Sequence, residues 1–181
     1  TEGRDTAVLF GDGAAVAILG PTEDVDRGVL AVCTHADGRH AEKLWAPAPA
    51  CVRKPFVTAQ MIDEGLTRPH MEGRDVFKHA VTKMPAALNE VLDMAGHTTD
   101  ELDMVIPHQA NMRIAQAVAK GLGLPDDKMY INIQRYGNTT AASIPIALHE
   151  CCAEGRIKRG DHILFSGFGA GLAWGTVLVK W

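Results

Sequence analysis

The sequence predicts a layered α/β domain with a largely parallel or mixed sheet, and three observations carry that expectation. Strand-sized apolar runs alternate with segments of helical period, and glycine or proline punctuates the joins. The 181 residues amount to one domain at ~100 to 200 residues per domain. With 46% hydrophobic against 22% charged residues, the chain can enclose a core and is neither disordered, collagen-like nor a coiled coil.

Thr6-Ala-Val-Leu-Phe10 and Ala14 to Leu19, joined by Gly11-Asp-Gly13, read as a hairpin. Gly28 to Cys33 reads as a strand, and the polar, proline-rich stretch from His35 to Pro55 as a surface loop. From Asp75 to Ala95, apolar Phe77, Val81, Met84, Leu88, Val91 and Ala95 recur at three and four, which predicts an amphipathic helix kinked by Pro85 and stopped at Gly96. Thr98 to Glu101 offers capping chemistry. Met104-Val-Ile-Pro107 predicts a buried strand, with a helix directly after His108 whose inner face is Ile114, Ala115, Ala117 and Val118, stopped by Gly121 and Gly123. Met129 to Ile133 predicts another strand. A small-residue helix from Ala141 to Glu154 follows the Arg135-Tyr-Gly-Asn138 loop. Strands at Asp161 to Ser166 and Ala173 to Lys180 flank Gly167-Phe-Gly-Ala-Gly171.

Composition excludes several partners. Lys and Arg total 18 against 22 Asp and Glu, a net charge of −4, and no basic block suits a nucleic acid backbone. No apolar run approaches the ~20 residues that span a bilayer, and no charged-then-apolar leader opens the chain, so a cytoplasmic protein without membrane contact is expected. Cys33, Cys51, Cys151 and Cys152 contain no Cys-x-x-Cys and read as free thiols. The histidines show no metal-ligand spacing, so no metal is expected. Ser166 lacks the Gly-x-Ser-x-Gly frame of a serine hydrolase, and Ser143 sits within the helix expected from Ala141. Thr1 leads within a few residues into an apolar run, which suggests a longer polypeptide.

Ligand-binding groups in open α/β sheets gather at the carboxyl ends of strands. His108, Asn138 and the 167–171 glycine turn all stand at such ends. His108 reads either as a structural histidine or as a neutral donor at a helix N-terminus, aimed at a developing oxyanion. Asn138 is either a helix cap or a second donor to that oxygen. Gly167 to Gly171 lacks the helix and downstream acid of a dinucleotide loop, leaving a plain turn or a backbone oxyanion hole.

Val105-Ile-Pro-His-Gln-Ala-Asn111, Gly137-Asn-Thr-Thr-Ala-Ala-Ser-Ile-Pro145 and Phe168-Gly-Ala-Gly-Leu-Ala-Trp-Gly175 occur in that order. Together with Phe10-Gly-Asp-Gly-Ala14 and Gly73 to Phe77, they resemble β-ketoacyl-acyl carrier protein synthase III across nearly the whole sequence. The resemblance implies a thiolase-like fold, of which this chain is the C-terminal half with a mixed sheet between helical layers, and a homodimer. It implies a decarboxylative Claisen condensation of an acyl group from coenzyme A with malonyl-acyl carrier protein, in fatty acid biosynthesis. Coenzyme A enters as a thioester substrate, with no separate cofactor. His108 and Asn138 match the catalytic His and Asn, and Ala170 contributes a backbone oxyanion contact in place of a frequent glycine. Gln109, Ala110, Asn111, Met112 and Arg113 match the carrier-docking segment. Arg4, Gly73 and Phe77 match positions near the coenzyme A channel, although Arg74 stands where Asn is common. The nucleophilic cysteine belongs to the missing N-terminal half, and none of the four cysteines here stands in its motif. Competing readings are a secondary-metabolite or longer-chain condensing enzyme of the same superfamily, and a non-catalytic partner half acting as a scaffold.

Overall fold

The structure, a computed structural model, describes residues 4–51 and 53–181. Its elements run α1 (Arg4–Ala7), β1 (Gly28–Ala36), a 3-10 turn (Gly38–Lys43), β2 (Leu44–Trp45), α2 (Ala59–Asp63), β3 (His70–Met71), α3 (Gly73–Ala95), β4 (Met104–Pro107), α4 (Met112–Leu122), α5 (Ile133–Tyr136), α6 (Ser143–Ala153), β5 (His162–Gly169) and β6 (Ala173–Lys180). The main sheet has the order β1-β6-β5-β4. β4 pairs parallel with β5, and the other two pairs are antiparallel, so the sheet is mixed as expected. β2 and β3 form a small antiparallel pair.

Alternation along the strands sends side chains to two layers. On one face, Ala31, Cys33, Leu164, Phe168 and Leu178 pack against α3 and α4. On the other, Met104, Ile106 and Ile163 pack against Ala147 and Cys151 of α6. The buried stripe of α3 is Val76, Ala80, Met84, Ala87, Leu88, Val91 and Leu92, turned slightly from the expected face so that Phe77 and Val81 flank it. Truncating Leu88, 1% exposed, to alanine would cost about 2–5 kcal/mol. Pro85 sits inside α3 without ending it; Gly121 of α4 lies opposite, where an added Cβ would meet the proline ring at 3.6 Å. Gly96 and Gly123 close α3 and α4 in left-handed conformations, as their sequence positions predict.

Four expectations are corrected. Thr6 and Ala7 lie in α1 rather than in a strand, and Ala14 to Leu19 forms no strand among the described residues. Val16, Ile18 and Leu19 are more than 90% exposed; no strand among the described residues pairs with them, and an apolar run without a partner strand has no ladder to join. The first strand of the sheet continues to Ala36, and the expected loop after it contains the 3-10 turn and β2. Met129 to Ile133 makes a single bridge, to Val105, before turning into α5. The last glycine-rich stretch is mostly strand, because Gly167 to Gly169 belong to β5 and the reversal spans only residues 170–172. Among the described residues no helix is long and apolar enough to cross a membrane.

Candidate active site

His108 leaves the end of β4, where its backbone N–H donates to the Ser166 carbonyl at 2.7 Å. Because β4 and β5 are parallel, their carboxyl ends share an edge, and His108 and Ala170 emerge there together. The helix does not follow directly. Asn111 is the N-cap of α4, its side chain accepting the Arg113 N–H at 2.8 Å. With those residues intervening, burial lowers the His108 pKa below the ordinary histidine value, rather than the helix dipole invoked from the sequence. The ring is therefore neutral near pH 7. Its Nδ1 lies 2.6 Å from Ser143 Oγ at the start of α6.

Gln109 explains why no strand forms after Met129. Its Nε2 donates to the carbonyls of Pro107 at 2.8 Å and Tyr130 at 3.2 Å, and its Oε1 accepts the Asn132 N–H at 3.0 Å. The carboxamide thus stands in for a neighbouring peptide. At 3% exposure it cannot face a docking partner, so the carrier-docking assignment of Gln109 is corrected to a structural role. Ala110 is half-buried, whereas Asn111, Met112 and Arg113 are exposed.

Asn138 lies in the α5–α6 loop, clasped by the segment before the Gly11-Asp-Gly13 motif. Its N–H donates to Leu9 O at 2.8 Å and its carbonyl accepts the Gly11 N–H at 3.0 Å. A Cβ on Gly11 would fall 1.8 Å from the Tyr136 carbonyl oxygen. The glycine therefore permits this close approach, not a hairpin turn. The Asn138 Oδ1 accepts the Thr140 N–H at 2.9 Å, which commits the oxygen to the turn and leaves the NH₂ group as a donor. Thr140 itself is held at φ +52°, an uncommon conformation for a residue with a β-branch.

One cavity of about 890 Å³ is lined by His108, Asn138, Gly169 and Ala170 at one end. Gly73, Arg74 and Phe77 from α3 and Ala110, Asn111 and Arg113 from around the start of α4 line it too, over apolar Val76, Ala80, Met84, Ile114 and Phe168. That volume and apolar character suit an organic ligand oriented by a few polar groups. The Arg113 guanidinium lies 5.8 Å from the Phe77 ring centroid, so positions matched separately to carrier docking and to the coenzyme A channel touch each other. Arg4 begins α1, and its side chain lies outside the described residues. No local sequence pattern marks Phe168, Met84 or Ser143 as site residues; only long-range packing brings them to the site.

All four cysteines are free, and none lines the cavity. Burial pushes the Cys151 thiol up to about 11 and also raises Cys33 and Cys152, which makes these three poor nucleophiles. Among the described residues one group could offer metal ligands: Cys33, His35 and Glu90 bring one atom each within 4.8 Å. There His35 Nε2 is already paired with Glu90 at 2.7 Å, and the thiol faces the Ala87 carbonyl at 3.5 Å.

The sequence model described as the C-terminal part of 3-oxoacyl-[acyl-carrier-protein] synthase III matches residues 92–181, and a second model of synthase III matches residues 1–38. A β-ketoacyl-[acyl-carrier-protein] synthase III of Roseiflexus castenholzii is 44% identical over 178 residues, covering 98% of this chain and 53% of that protein. The crystal structure of the Aquifex aeolicus 3-oxoacyl-[acyl-carrier-protein] synthase III superposes with a TM-score of 0.86 at 44% identity, over 99% of this chain and 53% of the other. A synthase III from Thermus thermophilus gives 0.87 at 42% identity, over 99% and 54%. A priming β-ketosynthase from the R1128 polyketide pathway gives 0.83 at 32% identity, over 97% and 51%. The chain spans about half the length of the curated relatives it matches. By its sequence and its thiolase-like fold, it belongs to the 3-oxoacyl-[acyl-carrier-protein] synthase III family.

Proposed function

We propose that this chain is the C-terminal half of a condensing enzyme of fatty acid biosynthesis, which supplies the two side-chain donors of a decarboxylative Claisen condensation. The observation that carries this reading is the convergence of a neutral His108 and an Asn138 with its oxygen already committed on one largely apolar cavity. As malonyl-acyl carrier protein loses carbon dioxide, its thioester oxygen takes on enolate charge. An imidazole N–H and a carboxamide N–H aimed at that oxygen stabilise the transition state more than the ground state. The enolate carbon then attacks an acyl thioester, and the thiolate departs as the carbon–carbon bond forms.

The acyl group arrives on a cysteine in the part of the enzyme beyond this segment, after transfer from coenzyme A. The Ala170 backbone N–H stabilises the oxyanion of the acyl group. Arg74 and Arg113 at the cavity wall supply cations for the phosphates of coenzyme A or of the carrier's prosthetic arm. Gly73 keeps the wall low where the arm passes, Phe77 and Arg4 flank it, and Ala110 to Arg113 form the near rim of the docking surface. The exposed apolar run from Ala14 to Leu19 and the exposed Val29, Leu30 and Val32 of β1 are covered by the other half of the enzyme, and the whole assembles as a cytoplasmic homodimer. The polypeptide lacking the nucleophile is inactive alone. The likeness to a polyketide priming synthase supports a second reading, in which the same chemistry starts a secondary metabolite on a different acyl donor.

The test is to separate the half-reactions in the polypeptide that carries the nucleophile. His108→Ala and Asn138→Ala should each slow malonyl-acyl carrier protein decarboxylation by ~10²- to 10³-fold, while radiolabelled acyl-coenzyme A still loads the cysteine. Equal loss of both steps, or labelling of Cys151 or Cys152, would overturn the assignment.

A further inference from the structure

We propose that Ser143 is a positioning residue that fixes His108 as the tautomer with its proton on Nε2, turned toward the cavity. The catalytic consequence rests on the proposed function, but the tautomer itself follows from hydrogen-bond accounting.

Ser143 is 2% exposed, so its hydroxyl proton must find a partner within the protein. Two groups meet its Oγ among the described residues: the Gln109 backbone N–H at 3.3 Å and His108 Nδ1 at 2.6 Å. The amide can only donate. One lone pair of Oγ is therefore taken, and the only acceptor left for the hydroxyl proton is Nδ1. If Nδ1 carried the ring proton instead, the hydroxyl would accept twice and its own proton would be buried without an acceptor. With the serine donating, Nδ1 is unprotonated and the neutral ring holds its proton on Nε2. That nitrogen has no partner among the described residues, and the residue lines the cavity. The donor needed at the enolate oxygen is thus set before any substrate arrives, which is the preorganisation that makes such contacts effective.

The fold builds this contact deliberately through local chemistry. Thr140 at φ +52° starts the 3-10 turn Thr140–Ala142 that delivers Ser143 to the first position of α6. Pro145 is tolerated there because a first-turn residue needs no intrahelical N–H partner. The Asn138 turn and the Ser143 contact are therefore five residues apart on one short connection. Ser143 orients one donor while the same connection carries the other.

The experiment uses the full condensing polypeptide with ¹⁵N-labelled histidine. Two-bond ¹H–¹⁵N correlation at neutral pH should report a protonated Nε2 and an unprotonated Nδ1 for His108. Ser143→Ala should average the two nitrogens, and Ser143→Thr, which keeps the hydroxyl, should restore the original pattern. Ser143→Ala should also slow malonyl decarboxylation by about tenfold, with KM and cysteine loading unchanged and with recovery in Ser143→Thr. A wild-type His108 protonated on Nδ1, or a pattern unmoved by Ser143→Ala, would sink the proposal. If the nitrogen shifts behave as expected while His108→Ala leaves decarboxylation intact, the positioning stands and the condensing reading of the site fails.

Discussion

Glu150 on α6 accepts the Asn132 Nδ2–H at 2.7 Å through Oε2, while its Oε1 accepts the Tyr136 hydroxyl. Arg135 adds an ion pair at 3.0 Å. One carboxylate thus grips both ends of α5, the short element that leads into Asn138. Burial opposes its ionisation, but the Asn132 and Tyr136 hydrogen bonds and Arg135 outweigh it, so the Glu150 pKa lies below the ordinary value. Glu150→Ala leaves the buried Asn132 carboxamide without this acceptor and should cost about 1–3 kcal/mol in urea unfolding, with slower malonyl decarboxylation as Asn138 loosens. Glu150→Gln should retain part of both. A variant as stable and active as wild type would show that α5 is held by its backbone alone.

Gly11 sets a steric limit on the same loop. Because a Cβ would meet the Tyr136 carbonyl oxygen at 1.8 Å, Gly11→Ala must push the backbone clasp away from Asn138. Overpacking of this kind costs about 1–3 kcal/mol. Gly38→Ala is the matched control, since nothing lies within 4 Å of its added Cβ. Thermal denaturation should separate the two variants, and equal midpoints would mean that the 9–11 segment moves freely from the 136–139 loop.

These loops mark the boundary of what the sequence makes legible. The helix over residues 73–95, the β4 strand, α4 with its glycine stop and the last two strands are encoded by period and punctuation within a dozen residues or so. Three motif-bearing loops at strand and helix ends place His108, Asn138 and Ala170 at one cavity. The strand expected at Met129 to Ile133 has the right composition but loses its ladder to the Gln109 side chain, a substitution that no local pattern announces. The Ala14 to Leu19 run has a strand's apolar character, yet a strand requires an edge to pair with, and no strand among the described residues pairs with it. Nothing local in the sequence marks Ser143 as a partner of His108, which is 35 residues away. Position 109 looked like an exposed docking residue from its motif, whereas its burial follows from contacts 21 and 23 residues distant.

Arg74 and Arg113 provide a charge test of the cavity. Both are exposed and line it. A charge-assisted hydrogen bond to a phosphate contributes about 1.5–3 kcal/mol, so Arg113→Ala in the full polypeptide should weaken coenzyme A thioester binding by roughly 10- to 100-fold, with a smaller dependence on salt. Isothermal titration at two ionic strengths reads both effects. Unchanged affinity for Arg74→Ala and Arg113→Ala together would place the phosphates elsewhere.

His108 gives the pH dependence of stability a direction that can be checked. Burial lowers its pKa in the native state, whereas the unfolded chain titrates near 6.5, the ordinary histidine value. Between those two values the unfolded chain binds a proton that the native protein does not, so stability rises with pH there. Stability is accordingly lost as pH falls below about 6.5, and the loss from this group levels off beneath the native pKa. His108→Gln replaces the ring with a group that does not titrate, and its urea midpoint should fall less steeply than wild type on acidification. Parallel curves for the two proteins would mean that the ring is hydrated and takes up its proton in the folded state as readily as in the unfolded one.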